Sequence, residues 1–172
     1  MNRLVSNLRH FFMKQGEHSQ HIIHNYLLNA LFQYDVTDWK NARIPQPKDS
    51  YEKNIIHREP LFSLEIVSWG DSAVTKFHDH AEFGCYMKLL DGKLSEELLV
   101  KRGNNSHIET KMINQGETSF INNKMGIHRL MNTNENNMSH SLHIYIPGKY
   151  NTKYYEHWYS EWWINIKHSD WK

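Results

Sequence analysis

The sequence predicts an all-β domain, a sandwich or barrel of short antiparallel strands, with two helices at its N-terminal end. Three observations predict it. Short segments of alternating and β-branched residues recur from Tyr51 onward. Turn signals separate them at intervals of about ten residues. Before Tyr51 the apolar period is three to four residues, which is helical.

Residues 3–33 carry the helical period. Leu4, Leu8, Phe11 and Phe12 share one face, and Ile22, Ile23, Tyr26, Leu27 and Ala30 share a second. Gly16 is expected to break the stretch into two helices. His21 and His24 stand one helical turn apart, but the neighbouring sequence offers no third ligand. Pro45 and Pro47 mark a loop or extended connector.

Residues 61–69 read as a strand ended by Gly70-Asp71. Residues 85–90 read as the next, closed by the hairpin signal Asp91-Gly92. Residues 94–100 and 107–113 continue the sheet, with Asn114-Gln115-Gly116 as a turn. Phe120-Ile121 leads into Asn122-Asn123-Lys124. Residues 139–146 alternate cleanly and stop at Pro147-Gly148. The expected division is one domain over 1–172: helices in 1–40, a barrel core in 51–148 and an aromatic-rich extension in 149–172 that packs on the barrel. That extension holds Tyr150, Tyr154, Tyr155, Trp158, Tyr159, Trp162, Trp163 and Trp171, with His157 and His168. It reads as a final strand pair covering the barrel, or else as an interface or a lid.

The totals exclude several classes. At 172 residues the chain is one domain's worth and can bury a sizeable core. Twenty Lys+Arg balance nineteen Asp+Glu, and no dense basic patch points to nucleic acid. No run of eighteen apolar residues points to a membrane span. Cys85 is the only cysteine, so no intramolecular disulfide forms. The first fourteen residues are mixed and charged rather than a signal peptide, so a cytoplasmic monomer is expected.

The chemistry gathers around His78-Asp79-His80. On a strand, residues two apart share a face, so both imidazoles would point one way and Asp79 the other. Two histidines on a barrel wall make half of a metal site, and imidazole suits iron, copper, nickel and zinc. Gly126-Ile127-His128-Arg129 supplies a third histidine. Arg129 would face away from it. Ser141, His143 and Tyr145 stand at i, i+2 and i+4, a hydroxyl, an imidazole and a phenol on one strand face. Trp69 and Val67 would pack the pocket wall or core.

These spacings resemble the two-motif pattern of the cupin superfamily, whose fold is a small jelly-roll β-barrel. The first block holds Gly70, His78-x-His80 and Gly92, and the second holds Gly116, Gly126-x-His128 and Asn132. One position departs. Where most cupins place an acidic ligand, five residues past His80, this chain has Cys85. A three-histidine cupin without that carboxylate resembles the thiol dioxygenases, cysteine dioxygenase in particular. The matching segments are Trp69-Gly70, His78-Asp79-His80, Cys85, Lys88-Leu89-Leu90-x-Gly92, Ile121-Asn122, Gly126-x-His128-Arg129 and Ser141-Leu142-His143-x-Tyr145-x-Pro147.

The resemblance implies iron(II) on His78, His80 and His128, and a small thiol and O2 as partners, with cysteine converted to its sulfinic acid. It implies that Tyr145, oriented by His143 and Ser141, faces the metal and substrate. It also implies a thioether crosslink between Cys85 and Tyr145. Without the resemblance, Cys85 reads as a small buried apolar residue, and His143 has a rival role as a fourth ligand. The family's carboxylate-binding arginine, two residues after a tyrosine, is replaced in Tyr51-Glu52-Lys53 by Lys53. Lysine offers a charge but no planar fork. Tyr51 and Lys53 are the expected substrate contacts, with Arg58 as a possible substitute. Lys53 leaves open 3-mercaptopropionate, cysteamine or another thiol. A metal-binding cupin without turnover, or a zinc or nickel isomerase or lyase, are the other readings.

Overall fold

The structure, a computed structural model, describes residues 1–14, 19–35, 37–102 and 105–155. Two helices, α1 (Asn2–Lys14) and α2 (Gln20–Phe32), precede ten strands. The strands are β1 (Tyr51–Arg58), β2 (Ser63–Trp69), β3 (Phe77–His78), β4 (Gly84–Asp91) and β5 (Lys93–Arg102), followed by β6 (Asn105–Asn114), β7 (Thr118–Ile121), β8 (Ile127–Asn132), β9 (Ser139–Ile146) and β10 (Tyr154–Tyr155). They form two five-stranded sheets, β1-β2-β9-β4-β7 and β10-β3-β8-β5-β6, with antiparallel pairing throughout. This is the expected cupin-type barrel with N-terminal helices. No helix among the described residues is long and apolar enough to cross a membrane.

The strands predicted over 61–69, 85–90, 94–100, 107–113 and 139–146 appear as β2, β4, β5, β6 and β9. Gly16, the expected helix break, and the tail residues His157, Trp158, Tyr159, Trp162, Trp163, His168 and Trp171 lie outside the described residues.

The two helices bury their apolar faces on the outside of the first sheet. Leu4, Leu8, Ile23, Leu27 and Leu31 pack with Leu64, Ile66, Tyr86, Leu142 and Ile144. Each fully buried leucine contributes about 1.5–3 kcal/mol by leaving water. The alternate residues of the same strands, among them Val67, Trp69, Met87 and Leu89, face inward and meet Leu94, Ile113 and Leu130 of the second sheet. So β2, β4 and β9 are buried on both faces. The outer face is helix-covered and apolar, and the inner face carries the polar groups.

Two glycines permit close approaches that build the barrel. Gly126, at φ 142°, leads into β8, and a Cβ there would stand 2.2 Å from the Leu99 carbonyl oxygen. Gly92 turns β4 into β5 at φ 88°, with space for a Cβ taken by Ser139 Oγ at 2.1 Å. Asn132, at the end of β8, donates to the carbonyls of Gly70 at 2.8 Å and Asn137 at 2.9 Å. It ties the end of the strand that carries His128 to the turn after β2.

Candidate metal centre

Among the described residues, the structure brings His78, His80 and His128 together, with one ligating nitrogen from each within 4.8 Å of the others. All three are buried. His78 ends β3 and pairs directly with His128 of β8. His80 departs from the predicted strand, because β3 ends at His78 and His80 lies in the following loop. Its position there is held by Asn123. The Asn123 side chain accepts from the His80 N–H at 2.8 Å and donates to the His80 carbonyl at 3.0 Å. Two backbone groups that a strand would have paired are satisfied by one amide instead.

Each imidazole has a defined orientation. His78 Nδ1 donates to the Lys76 carbonyl at 2.9 Å. His128 Nδ1 donates to Glu96 Oε1 at 2.5 Å, and Glu96 Oε2 accepts from Ser119 Oγ at 3.0 Å. Burial opposes charge on Glu96, but hydrogen bonds from His128 and Ser119 hold its carboxyl below its usual range. Burial, then the neighbouring His128, pushes His78 down to about 3. Burial and the same neighbours hold His80 well below its usual value. Both are therefore neutral at pH 7, the form that binds a metal.

This donor set fits a metal on its own geometry. With Nδ1 donating to Glu96, the neutral tautomer of His128 has its lone pair on Nε2. That atom lies 3.0 Å from His80 Nε2, while His80 Nδ1 is buried without a partner. A cation between the two Nε2 atoms satisfies both. Imidazole nitrogens bind first-row metals at about 2.1 Å, so two ligands at right angles stand about 3.0 Å apart.

Beside the three histidines runs the predicted polar row on β9. Trp69 Nε1 donates to Ser141 Oγ at 2.8 Å. Ser141 Oγ lies 2.8 Å from His143 Nε2, and His143 Nδ1 lies 3.4 Å from the Tyr145 hydroxyl and 3.5 Å from Cys85 Sγ. An indole N–H can only donate, so Ser141 Oγ accepts from Trp69. His143 then bridges Ser141 at Nε2 and the Tyr145–Cys85 pair at Nδ1. Lys53 Nζ also donates to the Tyr145 oxygen, at 3.3 Å. The Tyr145 hydroxyl thus has Lys53, His143 and Cys85 as hydrogen-bonding neighbours at the cavity.

His143 is thus engaged at both nitrogens and is not a fourth member of the metal group. Cys85 on β4 lies directly opposite Tyr145 on β9, and such pairs are side-chain neighbours. Burial pushes the Cys85 thiol up to about 12, against the opposing charge of Lys53. Burial, reinforced by Cys85 and Glu65, holds the Tyr145 phenol well above its usual value. Both groups are protonated at pH 7.

Tyr51, Lys53, Val67, Trp69, Cys85, His143 and Tyr145 join the three histidines around one cavity of about 20 Å³, room for about one water. Arg58 is not among the residues lining it. Its guanidinium is bound to buried Glu65 at 2.9 Å, so it is committed elsewhere. Arg129 faces outward, as expected, onto Glu97 at 2.7 Å and the Phe77 ring at 5.0 Å. His21 pairs with Asn25 at 2.9 Å and His24 packs edge-on to Phe120, so they do not form a metal clamp.

Sequence reasoning missed Glu96, Asn123 and Tyr154. Glu96 had a usable signal, since Leu94-x-Glu96 puts a carboxylate in phase with a buried leucine. Tyr154 lines the cavity from β10, and the sequence shows it only as one ring in a crowd.

The cysteine dioxygenase type I family model matches residues 1–157. Human cysteine dioxygenase type 1 is 29% identical over 122 residues, 67% of this chain and 60% of the human protein. The zebrafish (Danio rerio) cysteine dioxygenase type 1 is 28% identical over 154 residues, covering 84% of this chain and 73% of that one. The match thus spans 60% of the human relative's length. Among solved structures, a Klebsiella pneumoniae protein with a double-stranded β-helix domain superimposes with a TM-score of 0.57 at 11% identity, covering 73% of this chain and 94% of that one. That likeness is one of fold. Matched over most of its length, and carrying three buried histidines beside the Ser141-His143-Tyr145 row, the chain belongs to the cysteine dioxygenase type I family.

Proposed function

We propose that this protein is an iron(II)-dependent thiol dioxygenase that adds both atoms of O2 to the sulfur of a small thiol, with L-cysteine the leading substrate. The observation that carries the reading is the convergence of three oriented imidazoles beside a buried, protonated phenol that lines the same cavity. His78, His80 and His128 would hold the iron, and bound iron supplies the redox chemistry between O2 and thiolate sulfur. In the overall reaction the S–H and O–O bonds break, and two S–O bonds and one O–H bond form. Sulfur gives up the four electrons that O2 takes, and the product is a sulfinic acid.

The chain's own residues bind and orient. Lys53 is the cation of the cavity, and with Tyr51 it would receive the acid group of the substrate. Tyr145 remains protonated through burial and would donate its hydrogen bond to the reacting groups. His143 and Ser141, anchored by Trp69, hold that phenol in place. Cys85 lies opposite Tyr145, and we assign to this pair a thioether crosslink in part of the population. The crosslink would appear as a second band on a denaturing gel, absent in Cys85→Ala.

A different thiol is the second reading, favoured by Lys53 in place of a planar cation. A lysine binds a carboxylate as a point charge and tolerates a shifted or more distant acid group. Oxygen uptake after anaerobic loading with ferrous iron tests both. The panel is L-cysteine, 3-mercaptopropionate, cysteamine and a cysteine-initiated peptide. The expected result is uptake with one acidic thiol, stoichiometric with its sulfinic acid and abolished in His128→Ala. Silence across the panel, with one iron bound per chain, would leave a metal-binding module as the function.

A further inference from the structure

Residues 149–155 bring Tyr154 to the cavity, and the segment is held by strand pairing and by Asp79. β10 pairs with β3, so Tyr154 lies opposite His78 and Tyr155 opposite Phe77. The two rings part company as strand neighbours do. Tyr154 lines the cavity, with its ring 6.0 Å from that of His78. Tyr155 packs on the outer cluster of Phe77, Leu99 and Ile127.

Asp79, between the two histidines of the motif, binds this segment from both ends of its carboxylate. Oδ1 accepts from the Lys153 N–H at 2.7 Å, and Oδ2 accepts from the Tyr155 hydroxyl at 3.5 Å. The Asp79 N–H in turn donates to the Lys153 carbonyl at 3.2 Å. Tyr150 hydrogen-bonds to Asp79 and to Asn123, the residue that fixes His80.

At the cavity the Tyr154 hydroxyl meets that of Tyr51. Those two residues stand on the edge strands of different sheets, β10 and β1. Their contact therefore spans the seam where the barrel is open. Lys53, two residues from Tyr51 on the same strand face, lies just inside it. Tyr154 is half exposed, so one side of its ring faces solvent and the other faces the cavity. The cavity has room for about one water, and the Tyr51–Tyr154 contact lies in the part of its lining carried by sheet edges.

We propose that residues 149–155 are a strap latched by Asp79, and that Tyr154 on it sets the length of the thiol the site accepts. The proposal rests on the thiol reading of the site. With the sulfur among the three histidines and the acid group at Lys53, the Tyr154 ring limits how far the chain between them extends. One methylene in a fitted pocket discriminates by about 10- to 200-fold.

The test is equilibrium binding, without turnover. Anaerobic protein loaded with cobalt(II) is titrated with 3-mercaptopropionate and 4-mercaptobutyrate, and the thiolate-to-cobalt absorption band is read. The wild-type chain is expected to prefer the shorter acid by about tenfold or more. Tyr154→Ala should erase most of that preference, while Tyr154→Phe, which keeps the ring, should retain it. An unchanged preference in Tyr154→Ala would overturn the role of the ring. Cobalt bound without any thiol band in the wild type would overturn the thiol reading and the length selection with it. The latch has a separate readout. Amide hydrogen exchange in 149–155 should accelerate at least tenfold in Asp79→Ala, with β4 and β9 unchanged. Equal exchange in the two proteins would overturn the strap.

Discussion

The histidine whose orientation depends most on one other side chain is His128. Its Nδ1 proton goes to Glu96, a carboxylate buried in the second sheet and held from its other side by Ser119. That hydrogen bond fixes the tautomer, turns the ring and makes Nε2 a stronger donor toward a metal. Glu96→Gln keeps the volume but removes the negative charge, so the metal should bind about 10- to 100-fold more weakly. Competition against a chelator of known affinity measures this, and Ser119→Ala should show a smaller loss. Unchanged affinity in Glu96→Gln would mean that the carboxylate only satisfies a buried donor.

At the scale of elements, the clearest case is β9, whose even and odd residues serve two different neighbours. Leu142 and Ile144 pack under the helices, while His143 and Tyr145 line the cavity and Ser141 hydrogen-bonds to His143 from the same face. The alternation that marks a strand in sequence is normally core against solvent. Here it is core against site, and only the chemistry of the polar residues distinguishes the two. The junction between α2 and the first sheet depends on a similar exception. Lys88 on β4 is buried and donates to the carbonyls of Phe32 at 3.0 Å and Tyr34 at 2.6 Å. It thereby satisfies acceptors at the helix C-terminus, where a cation is also favoured by the helix dipole. Burial lowers its own pKa, so part of that gain is offset. Lys88→Met keeps the apolar stem and leaves two carbonyls unsatisfied. A destabilisation of about 2 kcal/mol is expected in urea unfolding, with little effect on metal binding.

For the whole molecule, what the sequence made legible was whatever depends on local period. The strands, the two helices and the three histidines all follow from short-range patterns and from spacing that resembles a known family. What it left dark depends on pairs far apart in sequence. Nothing near His80 says that Asn123 will hold it in a loop. Nothing near Tyr154 says that an edge strand will carry it against Tyr51. Arg58 looked like a free cation until Glu65, on the neighbouring strand, was seen to bind it. The same long-range burial governs stability against pH. Burial raises Tyr34 and Tyr86 from about 10 to about 12, and Cys85 from about 9 to about 12. These groups hold their protons more tightly folded than unfolded. Their contribution is fully present below the unfolded values and is lost as pH rises toward the folded ones. The melting temperature of the metal-free chain should therefore fall steadily between pH 9 and pH 12, with the phenols ionising as the fold is lost. Tyr86→Phe should flatten part of that fall, because a phenylalanine has no proton to release. Absorbance of phenolate, followed alongside circular dichroism, separates the cases. Phenols that ionise well before the fold is lost would show that Tyr34 and Tyr86 are open to solvent, and that burial does not hold their protons.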